Sequence, residues 1–226
     1  MNTEKINTSL TNLSDRRPVF HSEADFQHEL ALELSRSGHA VRLEVPRVVQ
    51  INGHSVDVEV DMLVRTDDTW TAIELKYVKQ KATIEYAGET FDSAQTWATN
   101  LPRFDCLADL RRVECLVAAG HATRGFSVFL TNASDAWSKD VSASEIKSRN
   151  FSLHEGRLLA AGEALDWHGN EPTRASVTAK RLPPHTPIAL GRDYQFGWRD
   201  YSQLAHPRGR FRYLLLAGHH GSEAAA

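Results

Sequence analysis

Two neighbouring segments of the chain alternate apolar and polar residues with a period of two. The segments are 56–64 and 70–77, and both are rich in β-branched and aromatic residues. This pattern is typical of β-strands that have one face in the core. Because the stretch between them is polar and contains Asp67 and Asp68, we predict that the two strands form an antiparallel hairpin.

The turn position predicts which residues of this hairpin face one another. A turn centred on the two aspartates sets Asp61 opposite Glu74 and Glu59 opposite Lys76, with opposed Cβ atoms about 4.5–5.5 Å apart. Since side chains alternate along a strand, Asp61, Glu74 and Lys76 share one face. The other face is predicted to be core and carries Val58, Val60, Met62, Ile73, Leu75 and Tyr77.

Two carboxylates and an amine on one strand face have two interpretations. Carboxylates held this close repel unless one binds a proton or both bind a cation, and their oxygens suit Mg²⁺ or Mn²⁺. Lys76 could then orient or activate a water, or stabilise charge that develops on phosphorus. The alternative is a solvated face on which Glu59 and Lys76 form an ordinary cross-strand ion pair.

Length and charge restrict the class of protein. The 226 residues, of which 41% are hydrophobic, suffice for one sizeable domain. A net charge of −3 argues against a general nucleic-acid coat, although a nuclease with an acidic metal site can be near neutral overall. No segment approaches the roughly 20 apolar residues of a membrane span, and the N-terminus lacks a signal-type apolar centre. We therefore expect a cytoplasmic protein with no membrane partner.

Helix and strand signals divide the chain into a body and two tails. Residues 1–17 and 219–226 are predicted to be disordered. Residues 18–218 are predicted to form one domain, with a core at about 20–132 and a β-rich extension at about 133–218. Cys106 and Cys115 lie about 13 Å apart on a predicted helix, which is too far for a disulfide, so we expect buried thiols.

The order of elements predicts the fold class. A helix is expected at 22–37, because Ser22 is a good N-cap with Asp25 as its capping-box partner and Gly38 is a C-terminal stop. The next strand is expected to end at Pro46, followed by an Asn52-Gly53 turn into the Asp61 strand. The further predicted elements are helices at 91–99 and 102–119, a strand at 126–131, a hairpin of 151–154 with 157–159, and a last strand at 211–216. This αβββαβ order predicts a mixed sheet flanked by helices, in the α/β class or alternatively α+β.

The same order, with an Asp on one strand and Glu-x-Lys on the next, resembles the PD-(D/E)xK nuclease superfamily, which has the restriction-endonuclease-like fold. The resemblance covers 22–132, about half of the chain, and its motifs are Val60-Asp61-Met62-Leu63-Val64, Ile73-Glu74-Leu75-Lys76-Tyr77 and the helix that begins at Ser22. Members cut nucleic-acid phosphodiesters with Mg²⁺. The resemblance implies Asp61 and Glu74 as metal ligands and Lys76 beside the attacking water. Val60 stands where the full signature has proline, which leaves the subfamily undefined.

Many members also carry a glutamate on the first helix that completes the metal site. Glu23 and Glu29 compete for this position, and we prefer Glu23 because it shares a helix face with Gln27, which would assist. The alternative is that Glu23 only complements the helix dipole. Glu29 is expected beside Phe26 and Glu33, on a more solvated face.

Contacts with nucleic acid are predicted next to the active strand. Lys79 and Lys81 follow that strand and are the first candidates for phosphate contacts. Gln27 is a further candidate for contact with nucleic acid. Gln95 occupies the place of a glutamine found in some branches of the superfamily, although it could equally be a surface residue. Trp167 and Trp198 are expected to pack in the core rather than to stack on bases.

The function predicted from the sequence is a Mg²⁺-dependent nuclease, with Mn²⁺ as a substitute and DNA as the expected partner. Two alternatives stay open. The chain could be an inactive descendant of this fold that binds nucleic acid or protein, or the motif could be fortuitous on a structural module. The sequence also leaves open whether the substrate is DNA or RNA and whether the chain forms a homodimer that cuts both strands.

Overall fold

In the computed structural model, residues 1–93, 100–169 and 187–218 are described, and they begin with two helices followed by five strands. The helices are α1 (Thr3–Arg16), α2 (Glu23–Arg36), α3 (Leu101–Ala118) and α4 (Asp135–Ser138), with a 3₁₀ turn at Arg149–Phe151. The strands are β1 (Ala40–Ile51), β2 (His54–Thr66), β3 (Thr69–Val78), β4 (Ala82–Tyr86), β5 (Glu89–Ser93), β6 (Arg124–Thr131), β7 (Leu158–Leu159), β8 (Ala164–Leu165), β9 (Ile188–Ala189), β10 (Tyr194–Gln195), β11 (Trp198–Gln203) and β12 (Arg210–Ala217).

Six strands form one mixed sheet in the order β1-β2-β3-β6-β12-β11. Strands β3 and β6 are parallel, and the other neighbours are antiparallel. On one face, Phe126 and Val128 of β6 pack with the apolar residues of α1 and α2. On the other face, Phe129 packs with those of α3. The fold is therefore mixed α/β, with helices on both faces of the sheet.

The hairpin of β2 and β3 has the predicted register. Met62 pairs with Ile73, and the ladder continues to the turn at Thr66 and Thr69. The pairs predicted further from the turn, Asp61 with Glu74 and Glu59 with Lys76, lie beyond the last of these pairs. The acidic residues are thus placed where β2 and β3 separate.

Strand β1 passes through Pro46, so the prediction that this proline ends the strand is wrong. Pro46 pairs with Glu59 of β2. Strand β1 is at the edge of the sheet, where the missing N–H of proline interrupts no ladder on the open side.

The apolar residues of β2 change sides near Asp61. The prediction that Val58 and Val60 share a face with Met62 is wrong, since the two valines pack with α3 whereas Met62 packs with α1 and α2. Glu44, on the neighbouring strand, has φ of 50°, a left-handed conformation that is uncommon for residues other than glycine. Because this residue interrupts the extended backbone of β1, regular alternation is not maintained across the site.

Residues 1–17 are not a disordered tail, because most of them form α1. Asn2 caps this helix by accepting a hydrogen bond from Lys5 N at 3.0 Å. Ile6, Leu10 and Leu13 are buried, and their spacing of three and four residues defines one helix face. The high content of Asn, Thr and Ser conceals this face in the sequence.

Several predicted elements are confirmed. Helix α2 begins after Ser22, whose Oγ accepts from Asp25 N at 3.1 Å. The helix predicted at 102–119 and the strands predicted at 126–131 and 211–216 correspond to α3, β6 and β12. Trp167 and Trp198 are buried, and both cysteines are buried free thiols, as predicted.

Other predicted elements are wrong or fall outside the described residues. Residues 91–93 belong to β5 rather than to a helix, because they pair with β4. The hairpin predicted at 151–159 is absent from the described part of the chain, since β7 pairs with β10, which lies much further along the sequence. Residues 94–99, which include Gln95, and residues 219–226 lie outside the described ranges.

Among the described residues, no helix is both long enough and apolar enough to cross a membrane.

Candidate functional site

Asp61 lies on β2 at the point where that strand separates from β3. The backbone N–H of Leu75 donates a hydrogen bond to Asp61 Oδ2 at 2.7 Å, which orients the carboxylate towards β3. Burial raises the pKa of Asp61 from 3.8 to about 7, the Asp109 carboxylate acts in the same direction, and the Leu75 N–H and Arg112 oppose it. A bound cation would favour the ionised form of such a group.

Glu74 is fully buried on β3. Its Oε2 forms an ion pair with Arg112 of α3. Burial raises its pKa well above the ordinary value, with a further contribution from Asp61, while Arg112 opposes the shift. Glu74 Oε1 has no hydrogen-bond partner among the described residues. An unsatisfied buried acceptor costs about 1–3 kcal/mol, so this oxygen is suited to receive a cation or a donor.

The amine of Lys76 lies between carboxylates from two helices. Lys76 Nζ is 3.1 Å from Glu23 Oε1 on α2 and 3.9 Å from Asp109 Oδ2 on α3. The Lys76 side chain is 13% exposed, so the amine is largely removed from water but still reachable. Both contacts hold the amine beside the strand that carries Glu74.

Glu23 reaches the site from the first turn of α2. Besides Lys76, its Oε2 accepts from Tyr77 N at 2.8 Å. Glu29 lies instead near Arg17, whose pKa it helps to raise. The prediction that Glu29 lies on a solvated helix face with Phe26 and Glu33 is wrong, because Phe26 and Glu33 are buried. Helix α1, which was predicted to be a disordered tail, covers that face.

Gln27 supports the strand that carries Asp61. Its Nε2 donates to Asp61 O at 2.7 Å and to Glu44 Oε1 at 2.6 Å. The side chain is buried and its amide is used within the protein, and contact of Gln27 with nucleic acid stays a prediction. Glu44, which the sequence did not single out, is held beside the site by this amide.

Asp109 and Arg112 of α3 belong to the site, which the sequence reasoning predicted for neither, since it considered Arg112 only among several possible phosphate contacts. Arg112 Nη2 is 2.9 Å from Asp109 Oδ1 and also contacts Glu74. Burial raises the pKa of Asp109, against the effect of Arg112 and Lys76. The available signal is that the two opposite charges are three residues apart on a predicted helix, which puts them on one helix face.

The two lysines predicted to bind phosphate have different surroundings. Lys79 is buried, and its Nζ donates to His21 O at 2.5 Å. Burial also lowers the pKa of Lys79. The amine is thus directed into the protein at the start of α2, and its assignment to phosphate stays a prediction. Lys81 is exposed, and its role stays a prediction.

The charges of the site leave it acidic. Four carboxylates (Glu23, Asp61, Glu74 and Asp109) are in contact with or close to two cations (Lys76 and Arg112). Within the described ranges, no group of three or more His, Cys, Asp or Glu side chains is arranged to hold a metal ion. Mg²⁺ commonly binds to one or two carboxylates together with water and substrate phosphate. Asp61 and Glu74 fit that donor set, whereas both oxygens of Glu23 are within 3.2 Å of Lys76 Nζ.

Comparisons with known proteins do not assign the chain to a family. No protein-family model and no curated protein matches it. Among solved structures it is similar to the protein whose structure is titled "Crystal structure of SSO0001", with 13% sequence identity and a TM-score of 0.25. The similarity covers 57% of this chain and 56% of that one, so the match spans just over half of that protein. A TM-score this low carries no argument about fold or function.

Proposed function

We propose that this chain is a Mg²⁺-dependent nuclease that hydrolyses phosphodiester bonds, with DNA as its expected substrate. The observation that carries the proposal is the grouping of Asp61, Glu74 and Lys76 where β2 and β3 separate. In support, Asp61 is oriented by Leu75 N and Glu74 retains an oxygen without a partner. A buried acidic group with a nearby amine is the arrangement expected for metal-assisted attack on phosphorus.

The proposal includes a restriction-endonuclease-like core for the αβββαβ part of the chain. Its support is the run of antiparallel strands β1, β2 and β3 followed by β6, which is parallel to β3. Helix α2 precedes this run, and α3 connects β3 to β6 on the opposite face of the sheet. This connection brings the charges of α3 next to β3.

Asp61 and Glu74 would hold the metal through one oxygen each. A bound Mg²⁺ supplies positive charge that makes a water more acidic and neutralises the phosphate. The ammonium of Lys76 donates hydrogen bonds to the attacking water or to a phosphate oxygen. Glu23 keeps that ammonium in place, since both of its oxygens are within hydrogen-bond distance of Nζ. Mn²⁺ would substitute because it accepts the same oxygen ligands.

One observation favours a second candidate, an inactive member of the same fold that binds nucleic acid or protein. Arg112 already supplies a cation to Glu74, so the site is partly neutralised by the chain itself. Calorimetric titration with MgCl₂ separates the candidates, because the inactive form need not bind metal at Asp61 and Glu74.

The nuclease proposal is tested by cleavage of supercoiled, linear and single-stranded DNA, and of RNA, with MgCl₂ or MnCl₂. Asp61→Ala and Lys76→Ala are expected to lower the rate by about 10²-fold or more, the usual effect of removing a charged catalytic group. Asp68→Ala, in the exposed turn of the same hairpin, is the matched control. Equal residual activity in all four proteins would overturn the proposal. The ratio of linear to nicked plasmid reports whether both strands are cut in one encounter, as a homodimer would do.

A further inference from the structure

A cationic side chain of the protein already lies between two carboxylates of the site. Arg112 Nη2 contacts Glu74 Oε2 and lies 2.9 Å from Asp109 Oδ1. The side chains of Arg112, Glu74 and Asp109 are 9%, 0% and 7% exposed. Removing one partner from such a buried group leaves the remaining charges without compensation.

Each of the two carboxylates keeps a second oxygen that Arg112 does not satisfy. Glu74 Oε1 and Asp109 Oδ2 are both buried and have no hydrogen-bond partner among the described residues. Asp109 Oδ2 is 3.9 Å from Lys76 Nζ, so it faces the amine of the site. Buried acceptors of this kind gain from a further donor or cation.

The local geometry explains why Arg112 can contact both carboxylates. Asp109 and Arg112 are three residues apart on α3 and therefore share a helix face. That helix packs against β3 and β6, which places this face over Glu74. The guanidinium has several N–H donors in a planar fork, so it can contact two carboxylates at once.

We propose that Arg112 is an internal counter-cation of the metal site. It holds Glu74 and Asp109 in place when no metal is bound, and a divalent cation bound at Asp61 and at the free oxygen of Glu74 takes over part of that task. This inference rests on the metal site of the proposed function and adds Arg112 to it as the charge that compensates Glu74. Its consequence is that Mg²⁺ stabilises the wild-type protein only slightly, but strongly stabilises a protein that lacks the Arg112 charge.

The test is thermal unfolding of the full chain in EDTA and in millimolar MgCl₂, at ionic strength matched with NaCl. Arg112→Met keeps the apolar stem and removes the charge, whereas Arg112→Lys keeps the charge. In EDTA, Arg112→Met is expected to have a lower Tm than the wild type. Mg²⁺ is expected to raise its Tm by about 5–10 °C more than that of the wild type. Arg112→Lys is expected to lie between the two proteins.

Variants of the carboxylates place the effect at this site. In an Asp61→Asn, Arg112→Met double variant, the additional Mg²⁺ stabilisation is expected to disappear. If Arg112→Met does not fold in EDTA, the comparison is made in an Asp109→Asn background, which has one buried charge fewer. In that background, Mg²⁺ is expected to raise the Tm of the Asp109→Asn, Arg112→Met double variant more than that of the Asp109→Asn single variant.

The inference would be overturned if Mg²⁺ raised the Tm of the wild type and of Arg112→Met equally. It would also be overturned if the additional Tm increase of Arg112→Met persisted in the Asp61→Asn, Arg112→Met double variant. These outcomes are distinct from failure of the nuclease proposal. Cleavage by the wild type with equal Mg²⁺ shifts leaves the nuclease standing and removes the counter-cation role. A larger shift in Arg112→Met, with no cleavage of any substrate, supports the counter-cation role and argues against the nuclease.

Discussion

The backbone N–H of Leu75 donates a hydrogen bond of 2.7 Å to the side chain of Asp61. Leu75 lies between Glu74 and Lys76, so the strand that provides the buried carboxylate and the amine also orients the carboxylate of its neighbour. The β2–β3 ladder ends at the pair of Met62 and Ile73. The Asp61 side chain thus provides an acceptor where main-chain pairing between these strands has ended.

We predict that Asp61→Asn stabilises the protein relative to wild type increasingly as the pH rises. The pKa of Asp61 is raised from 3.8 to about 7 in the folded protein, so the native state binds more protons than the unfolded state between these values. Wild-type stability therefore falls as the pH rises through this range. Asparagine lacks this titration and can still accept the Leu75 N–H.

Urea unfolding of both proteins from pH 4 to pH 8 measures this difference. The increase in unfolding free energy caused by Asp61→Asn should grow across this pH range and level off above the raised pKa of Asp61. A difference in unfolding free energy that is independent of pH would contradict the assigned burial of Asp61.

We predict that Glu23→Gln lowers metal-dependent cleavage by about 10–100-fold, the usual effect of removing a group that orients a site residue. Glutamine cannot offer Lys76 two charged oxygens, so the amine loses its partner on α2. Glu29→Gln, on the same helix, should stay within about twofold of wild type, because Glu29 lies near Arg17 rather than beside Lys76. Initial rates at saturating Mg²⁺ measure both variants. Loss of activity in Glu29→Gln alone would reverse the assignment.

We predict that Leu10→Ala destabilises the protein by about 2–5 kcal/mol, as expected for a fully buried leucine. Leu10 packs with residues of α2 and the sheet. Thr11→Ala, at an exposed position of the same helix, should change the free energy of unfolding by about 0.5 kcal/mol or less. Chemical denaturation compares the two variants. Equal stabilities would indicate that residues 1–17 are a tail, as the sequence alone suggested.

We predict that Lys81→Ala, but not Lys79→Ala, reduces the salt dependence of DNA binding. A phosphate contact releases about one counterion, so its loss lowers the slope of log affinity against log salt by about one. Lys79→Ala should instead lower stability by about 1–3 kcal/mol, because its buried amine binds the backbone at His21. Fluorescence anisotropy with a labelled duplex in EDTA measures the slopes. A reduced slope in Lys79→Ala would show that this amine reaches the DNA.

Much of the site could be predicted from short-range patterns. The period-two alternation and the polar turn set the register of β2 and β3 up to the pair of Met62 and Ile73, and just beyond that pair Asp61 interacts electrostatically with Glu74. The Ser22 cap set the start of α2 and so the position of Glu23 in its first turn. These features depend on residues close in sequence, where turn chemistry and capping determine the geometry.

Other features of the structure were not evident from the sequence although their signals are local. The apolar face of α1 follows helical spacing, but its composition suggested a tail. Lys79 continues the direction of β3, yet its amine turns into the protein to meet His21. Alternation along a strand predicts on which face of the sheet a residue lies. It does not predict where the end of a long side chain lies once the strand has ended.

The sequence by itself determined the local elements that carry Glu23, Asp61, Glu74 and Lys76, because short-range hydrogen bonding and alternation place them. Only the tertiary structure decided that Arg112, 38 residues from Glu74, supplies its counter-charge. That contact depends on the parallel pairing of β3 with β6, which folds the intervening α3 back onto the sheet. Such long-range packing is set by the burial of whole apolar faces, and no local spacing in the chain encodes it.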